Sequence, residues 1–133
     1  MAEGTVVIVE DADTCATTLE MAFLAIPGIS VTVLPDAGDA LRLLAGGSCA
    51  VRAVVTDLHM PRMDGFEFIE RIRAEPRHRQ LPIIVVSGDT DPSTPARLQA
   101  MGADAFFSKP YSPAQVRLKL EQLLDAKSND RAP

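Results

Sequence analysis

The chain has 133 residues, 47% of them hydrophobic and 23% charged, which gives room for one domain around a single core and excludes a disordered or fibrous chain. A formal charge of −5 argues against a surface built for DNA or an anionic membrane, and the absence of tryptophan argues against a platform for stacking bases. Two cysteines, Cys15 and Cys49, without a signal-like start or a long apolar run, fit a cytoplasmic chain kept reduced, with no membrane span.

The first apolar run, Thr5 to Val9, ends in Glu10 and Asp11. Cys15, Leu19, Phe23 and Ile26 then recur at helical spacing, with Asp13 as the N-cap and Pro27-Gly28 as the stop. A second run, Val31 to Leu34, is followed by Pro35 and Asp36, and Leu41, Leu44 and Ala45 mark a short helix closed by Gly46-Gly47. The third run, Ala53 to Thr56, leads into Asp57, and Phe66, Ile69 and Ile72 line a helix that ends before Pro76. Ile83 to Val86 is the fourth run and leads into Ser87. The helix after it, around Ala96 to Met101, has the weakest pattern, because Pro92 and Pro95 lie near its start and its apolar stripe is narrow. The fifth run, Ala105 to Phe107, precedes Lys109. Val116, Leu120, Leu123 and Leu124 mark the last helix, with Pro113 suited to its first turn. Ser128 to Pro133 carries too few apolar residues to dock firmly, so residues 1–127 read as the domain and 128–133 as a disordered or loosely attached tail.

The runs are rich in Val and Ile and do not alternate with polar residues, as expected of strands covered on both faces. Five strand–helix units with short connections predict an α/β fold, a doubly wound parallel sheet with right-handed crossovers. Ligands of such sheets bind beyond the carboxyl ends of the strands. Those ends carry Glu10 and Asp11, Asp57, Ser87 and Lys109, while the second strand delivers nothing obviously reactive. Three converging carboxylates would repel one another unless a cation sat among them. An all-oxygen set favours Mg²⁺, with Mn²⁺ as the substitute, and the only histidines, His59 and His78, have no partner at zinc-ligand spacing. With the cation in place, the lysine and hydroxyl would clamp a phosphoryl group and an aspartate could accept it.

The motifs carrying that chemistry are Val6-Val7-Ile8-Val9-Glu10-Asp11, Asp57-Leu58-His59-Met60-Pro61-Arg62-Met63-Asp64-Gly65, Val86-Ser87-Gly88 and Gly102-Ala103-Asp104-Ala105-Phe106-Phe107-Ser108-Lys109-Pro110. Together, over about Thr5 to Ala126, they resemble the CheY-like receiver domain of two-component response regulators. The resemblance implies a flavodoxin-like three-layer sandwich with strand order 2-1-3-4-5. It implies Asp57 as phosphoacceptor, Asp11 and the backbone carbonyl of His59 as further ligands of the cation, and Glu10 as a ligand through water. It implies Lys109 and Ser87 as contacts of the phosphoryl oxygens and a cis Lys109-Pro110 bond. His59 and Asp89 would flank the water that hydrolyses the acyl phosphate and so tune its lifetime, with Gly88 leaving the phosphoryl group open.

Ser87 and Phe106 would form the switch, remodelling the face of the fourth helix, fifth strand and fifth helix. Phe106 lacks the tyrosine hydroxyl often found there, so it is expected inward for much of the time even without phosphate. The implied protein is a phosphorylation-activated signalling switch, not an enzyme beyond its own phosphorylation and slow autodephosphorylation. Its expected partners are a histidine kinase or histidine phosphotransfer protein and an effector or output domain. Phosphorylation-dependent dimerisation is compatible with it, and direct contact with nucleic acid or membrane is not expected.

Blander assignments stand beside these. His59 is a solvent-facing loop residue, Cys15 and Phe107 are packing residues, and Cys49 is an incidental thiol. The run Arg71, Arg73, Arg77, His78 and Arg79, broken up by Glu70 and Glu75, is a solvated helix end. The enzyme alternative is a haloacid-dehalogenase-type aspartyl phosphatase, but that family wants a second Asp two residues past the nucleophile, where this chain has His59. A degenerate receiver used only as a scaffold is the third reading.

Overall fold

The structure is a computed structural model and describes residues 4–10, 13–46, 50–60 and 62–131. Five strands, β1 (Gly4–Val9), β2 (Ile29–Leu34), β3 (Val51–Thr56), β4 (Ile83–Ser87) and β5 (Ala105–Ser108), alternate with five helices. These are α1 (Asp13–Phe23), α2 (Ala37–Gly46), α3 (Gly65–Ala74), α4 (Thr94–Met101) and α5 (Pro113–Arg131), with a 3₁₀ turn at Pro76–His78. All strand pairs are parallel, in the order β2-β1-β3-β4-β5.

The two-residue period of the strands divides the core. Val7, Val9, Val54, Ile83 and Val85 pack with Ala40, Leu44, Phe68, Ile72 and Leu98 under α2, α3 and α4. Val6, Ile8, Val55, Ile84 and Val86 pack with Leu19, Phe23, Val116 and Leu120 under α1 and α5. Every residue of the inner strand β4 is buried, whereas the edge strands β2 and β5 are mostly half-buried. This is the expected three-layer sandwich.

Several local expectations shift. On α2 the buried stripe is Ala37, Ala40 and Leu44, with Ala45 exposed. On α3 Phe68, not Phe66, joins Ile69 and Ile72 in the core. Cys15 is half-buried and its neighbour Ala16 takes the buried position. Phe107 packs on the α1–α5 side and Phe106 on the α2–α4 side, opposite as strand neighbours must be, but on an edge strand both are half-buried. The helical backbone of α5 continues through Arg131, past the point where its apolar pattern stops. Asp13 begins α1, but its side chain, and with it the expected cap, lies outside the described residues, as do Gly47 and Cys49.

Helix ends position the site. Asp64 caps α3 by accepting the N–H of Glu67 at 2.9 Å, and Ser112 Oγ accepts the Gln115 N–H at 3.3 Å at the start of α5. Gly102, at φ 99°, closes α4 in the left-handed conformation, with the Ala103 N–H returning to the Leu98 carbonyl at 3.0 Å.

Candidate phosphoryl-acceptor site

The backbone ladder runs one residue past the strands. The N–H of Glu10 donates to the Leu34 carbonyl at 3.1 Å, that of Asp57 to Val9 at 3.1 Å, and that of Lys109 to Ser87 at 2.8 Å. Side chains from three separate strand ends are thereby held in register. The Lys109 Nζ donates to Asp57 Oδ2 at 2.7 Å and to Glu10 Oε2 at 3.1 Å. Glu10 and Asp57 are only 3% and 6% exposed, so these charges meet where water screens them little. Burial pulls the lysine's proton affinity down, but the hydrogen bonds and charges of Asp57 and Glu10 outweigh it and hold the ammonium well above its ordinary 10.5. The Lys109–Pro110 bond is cis.

The other Asp57 oxygen is held by the chain itself. Oδ1 accepts the N–H groups of Leu58 at 2.6 Å and His59 at 3.1 Å. The loop leaves β3 with the Leu58 carbonyl accepting from Gly65 at 2.8 Å. A Cβ on Gly65 would come within 2.5 Å of the Asp57 carbonyl oxygen, so only glycine allows α3 to start this close to Asp57.

Ser87 is fully buried, and its Oγ accepts the Asp89 N–H at 3.1 Å. Asp89 Oδ2 in turn lies 3.5 Å from His59 Nε2. The ring of His59 is 67% exposed, so it is solvent-facing as expected, yet it reaches across to the β4–α4 loop. Beside Ser87, a Cβ on Gly88 would meet nothing within 4 Å. Tyr111 is half-buried against the second core cluster, and burial pushes its phenol up to about 12.

Glu10, Asp57 and Lys109 thus meet directly, and His59, Asp89 and Ser87 form a connected row beside them. Phe106 stands apart, packed toward α4. Asp11 lies outside the described residues, and among the described residues no three His, Cys, Asp or Glu side chains are gathered as a metal cluster. The two buried carboxylates, Glu10 and Asp57, are hard oxygen donors, which suit a cation such as Mg²⁺ better than zinc.

Two residues near the site escaped sequence reasoning. Arg62, with φ at 72°, stands in left-handed backbone that costs a non-glycine residue on the order of 1–2 kcal/mol. Its guanidinium holds Asp36, the residue after the strand that promised nothing reactive: Nε donates to Asp36 Oδ2 at 2.9 Å and Nη2 pairs with the same oxygen. The Arg62 hydrogen bond, then the Gly38 N–H, keeps the Asp36 carboxyl below the usual carboxylate range. The residue before a helix is a cap position that sequence could have flagged. Nothing in the sequence pairs it with Arg62.

The family model for the response regulator receiver domain matches residues 6–121. The chain belongs to that family. Among curated receiver-domain relatives, a chemotaxis protein CheY homolog of Campylobacter jejuni is 30% identical over 82 residues, 62% of this chain and 63% of that protein. The cyclic di-GMP phosphodiesterase response regulator RpfG of Xanthomonas campestris is 35% identical over 130 residues, 96% of this chain but 33% of that protein. The matched stretch therefore spans less than two thirds of these relatives. Of solved structures, the signal receiver domain of a histidine kinase from Syntrophus aciditrophicus superposes with a TM-score of 0.80 at 28% identity, covering 92% of this chain and 91% of that one. The receiver domain of an HD domain-containing protein from Pseudomonas fluorescens gives 0.84 at 25% identity, covering 98% and 93%. Receiver domains are signalling switches of two-component systems and not conventional enzymes. They work with histidine kinases and with output or effector domains, and generally use Mg²⁺ at the phosphorylation site. No helix among the described residues is long and apolar enough to cross a membrane.

Proposed function

We propose that this receiver domain, spanning residues 1–127, takes a phosphoryl group on Asp57 from a histidine kinase or histidine phosphotransfer protein. The observation that carries the proposal is the buried Asp57 carboxylate, held at Oδ1 by two backbone N–H groups and at Oδ2 by Lys109. Held so, the carboxylate is oriented before a donor arrives, and orientation supplies much of what phosphoryl transfer needs. Asp57, Asp11 and the His59 carbonyl, with Glu10 through water, would hold a Mg²⁺ or Mn²⁺ ion, which when bound neutralises charge on phosphoryl oxygens.

Asp57 Oδ attacks phosphorus in line, and the bond to the donor's histidine nitrogen or acyl oxygen breaks as the new one forms. Lys109 follows the transferred oxygens, and Ser87 gives up its acceptor contact with Asp89 to donate its hydroxyl to them. The acyl phosphate carries about −1.5 to −2 where the Asp57 carboxylate carried a single negative charge, and that gain at a fixed point is what the switch reads. As Ser87 moves, Phe106 turns into the space it leaves and remodels the α4-β5-α5 face. An effector, an output domain or a second copy of the chain would bind there. His59 and Asp89, 3.5 Å apart beside the acceptor, would limit the approach of hydrolytic water and set the lifetime. The chain would act in the cytoplasm, as a free module or within a longer regulator or hybrid kinase.

Incubation with acetyl phosphate and Mg²⁺, followed by intact mass, tests this. One phosphate adduct that is lost on chelation and in Asp57→Asn is expected. No adduct with a donor that labels other receivers would favour the scaffold, and sustained turnover of small phosphate esters would favour the phosphatase.

A further inference from the structure

Among the described residues, Arg62 is the only non-glycine with a positive φ. Backbone in that region persists where its surroundings over-determine it. Arg62 is bound by its side chain to Asp36, from the far side of β1 in the sheet order. Asp36 is itself fixed: its Oδ1 accepts the Gly38 N–H at 2.6 Å, its carbonyl accepts the Ala40 N–H at 3.3 Å, and its side chain is 16% exposed. An exposed ion pair on its own contributes little. This one differs because one end is fixed to the start of α2, at the residue that precedes the helix, and the other stands at the strained residue of the acceptor loop. That same loop aims the Leu58 and His59 N–H groups at Asp57 Oδ1.

We propose that Arg62 and Asp36 are positioning residues for phosphoryl acceptance: their tie holds the loop after β3 in the turn that presents the Leu58 and His59 N–H groups to Asp57. The proposal rests on Asp57 as acceptor. It assigns a role to β2, whose end carries no group that would touch the phosphoryl donor, and makes α2 a support of the acceptor loop.

Amide hydrogen exchange on the metal-free protein tests the tie without any phosphorylation. Arg62→Ala and Asp36→Asn should each speed exchange at Leu58 and His59 about tenfold, with Val54 and Val55 of β3 unchanged and the double variant no faster than either single one. Arg62→Gly, which removes the side chain while suiting the left-handed backbone, should speed the same two amides. It decides the matter should Arg62→Ala also loosen β3. The rate of labelling by acetyl phosphate and Mg²⁺ should fall about three- to tenfold in the same variants. Wild-type exchange at Leu58 and His59 in Asp36→Asn and Arg62→Gly, or single effects that simply add in the double variant, would overturn the tie. Failure of the wild-type chain to label would instead overturn Asp57 as acceptor, while the exchange data would still judge the tie.

Discussion

Lys109 is the residue on which the site's electrostatics turn. Its ammonium is the cation that lets Glu10 and Asp57 share a buried corner, at 3.1 and 2.7 Å. Because its proton affinity is raised in the folded state, the associated stability is fully present below the ordinary 10.5 and is lost only as pH climbs through the higher folded value. The pair therefore stays intact across the neutral range. Replacing Lys109 with Met keeps the stem and removes the charge, leaving the carboxylates to repel. Breaking a fully buried pair costs more, but the lysine is 24% exposed, so a loss of about 1–3 kcal/mol is expected at neutral pH. Thermal melts check it. Millimolar Mg²⁺ should raise the melting temperature of Lys109→Met more than that of the wild type, and chelator should remove the gain. An equal rise in both proteins would deny that ammonium and metal answer the same charge. Lys109, Asp57, Glu10 and Ser87 were legible in the sequence as candidates because each lies at or just past the carboxyl end of a strand, where ligands of a parallel sheet bind. Asp36 and Arg62 were not, because their pairing is a side-chain contact between loops 26 residues apart.

Elements were read well where one period dominates and less well where two faces compete. The all-buried β4 followed from its unbroken Val and Ile. On α3, Phe66 and Phe68 both fit an apolar helix, and the spacing alone does not say which faces the sheet. Phe68 is fully buried, while Phe66 lies under the Arg97 guanidinium, 3.7 Å from its ring centroid, bridging α3 to α4. The two should separate in urea unfolding. Phe68→Ala should cost about 3–5 kcal/mol, as a cavity in the core does, and Phe66→Ala about 1 kcal/mol. Equal losses would mean that the helix presents a different face. The narrow stripe of α4 reflects the same arrangement: Leu98 is buried toward the sheet, and Arg97 holds the helix from outside through a ring on its neighbour. The basic run at the end of α3 is likewise accounted for by contacts. Arg71 pairs with Glu67 and Arg77 with Glu75, while Arg73 turns inward to the carbonyls of Gly102 and His78.

At the scale of the molecule, the alternation of strands and helices carried the fold class, and the sandwich follows from which strand residues point to which side. The order of the five strands then brings Asp57, Lys109 and Ser87 to one end, with Phe106 packed on the α2–α4 side of the sheet. The helical continuation of α5 through Arg131 was not legible, because Lys127 to Arg131 carry no apolar stripe to signal it. The central claim is that the phosphoryl group sits on Asp57 and nowhere else. Borohydride reduces an acyl phosphate to the alcohol, so the acceptor becomes homoserine, and peptide mass mapping after labelling with acetyl phosphate and Mg²⁺ locates it. Expected is homoserine at position 57 alone, absent without donor or with chelator; homoserine at another carboxylate, or none in a protein that carries the adduct, would contradict it.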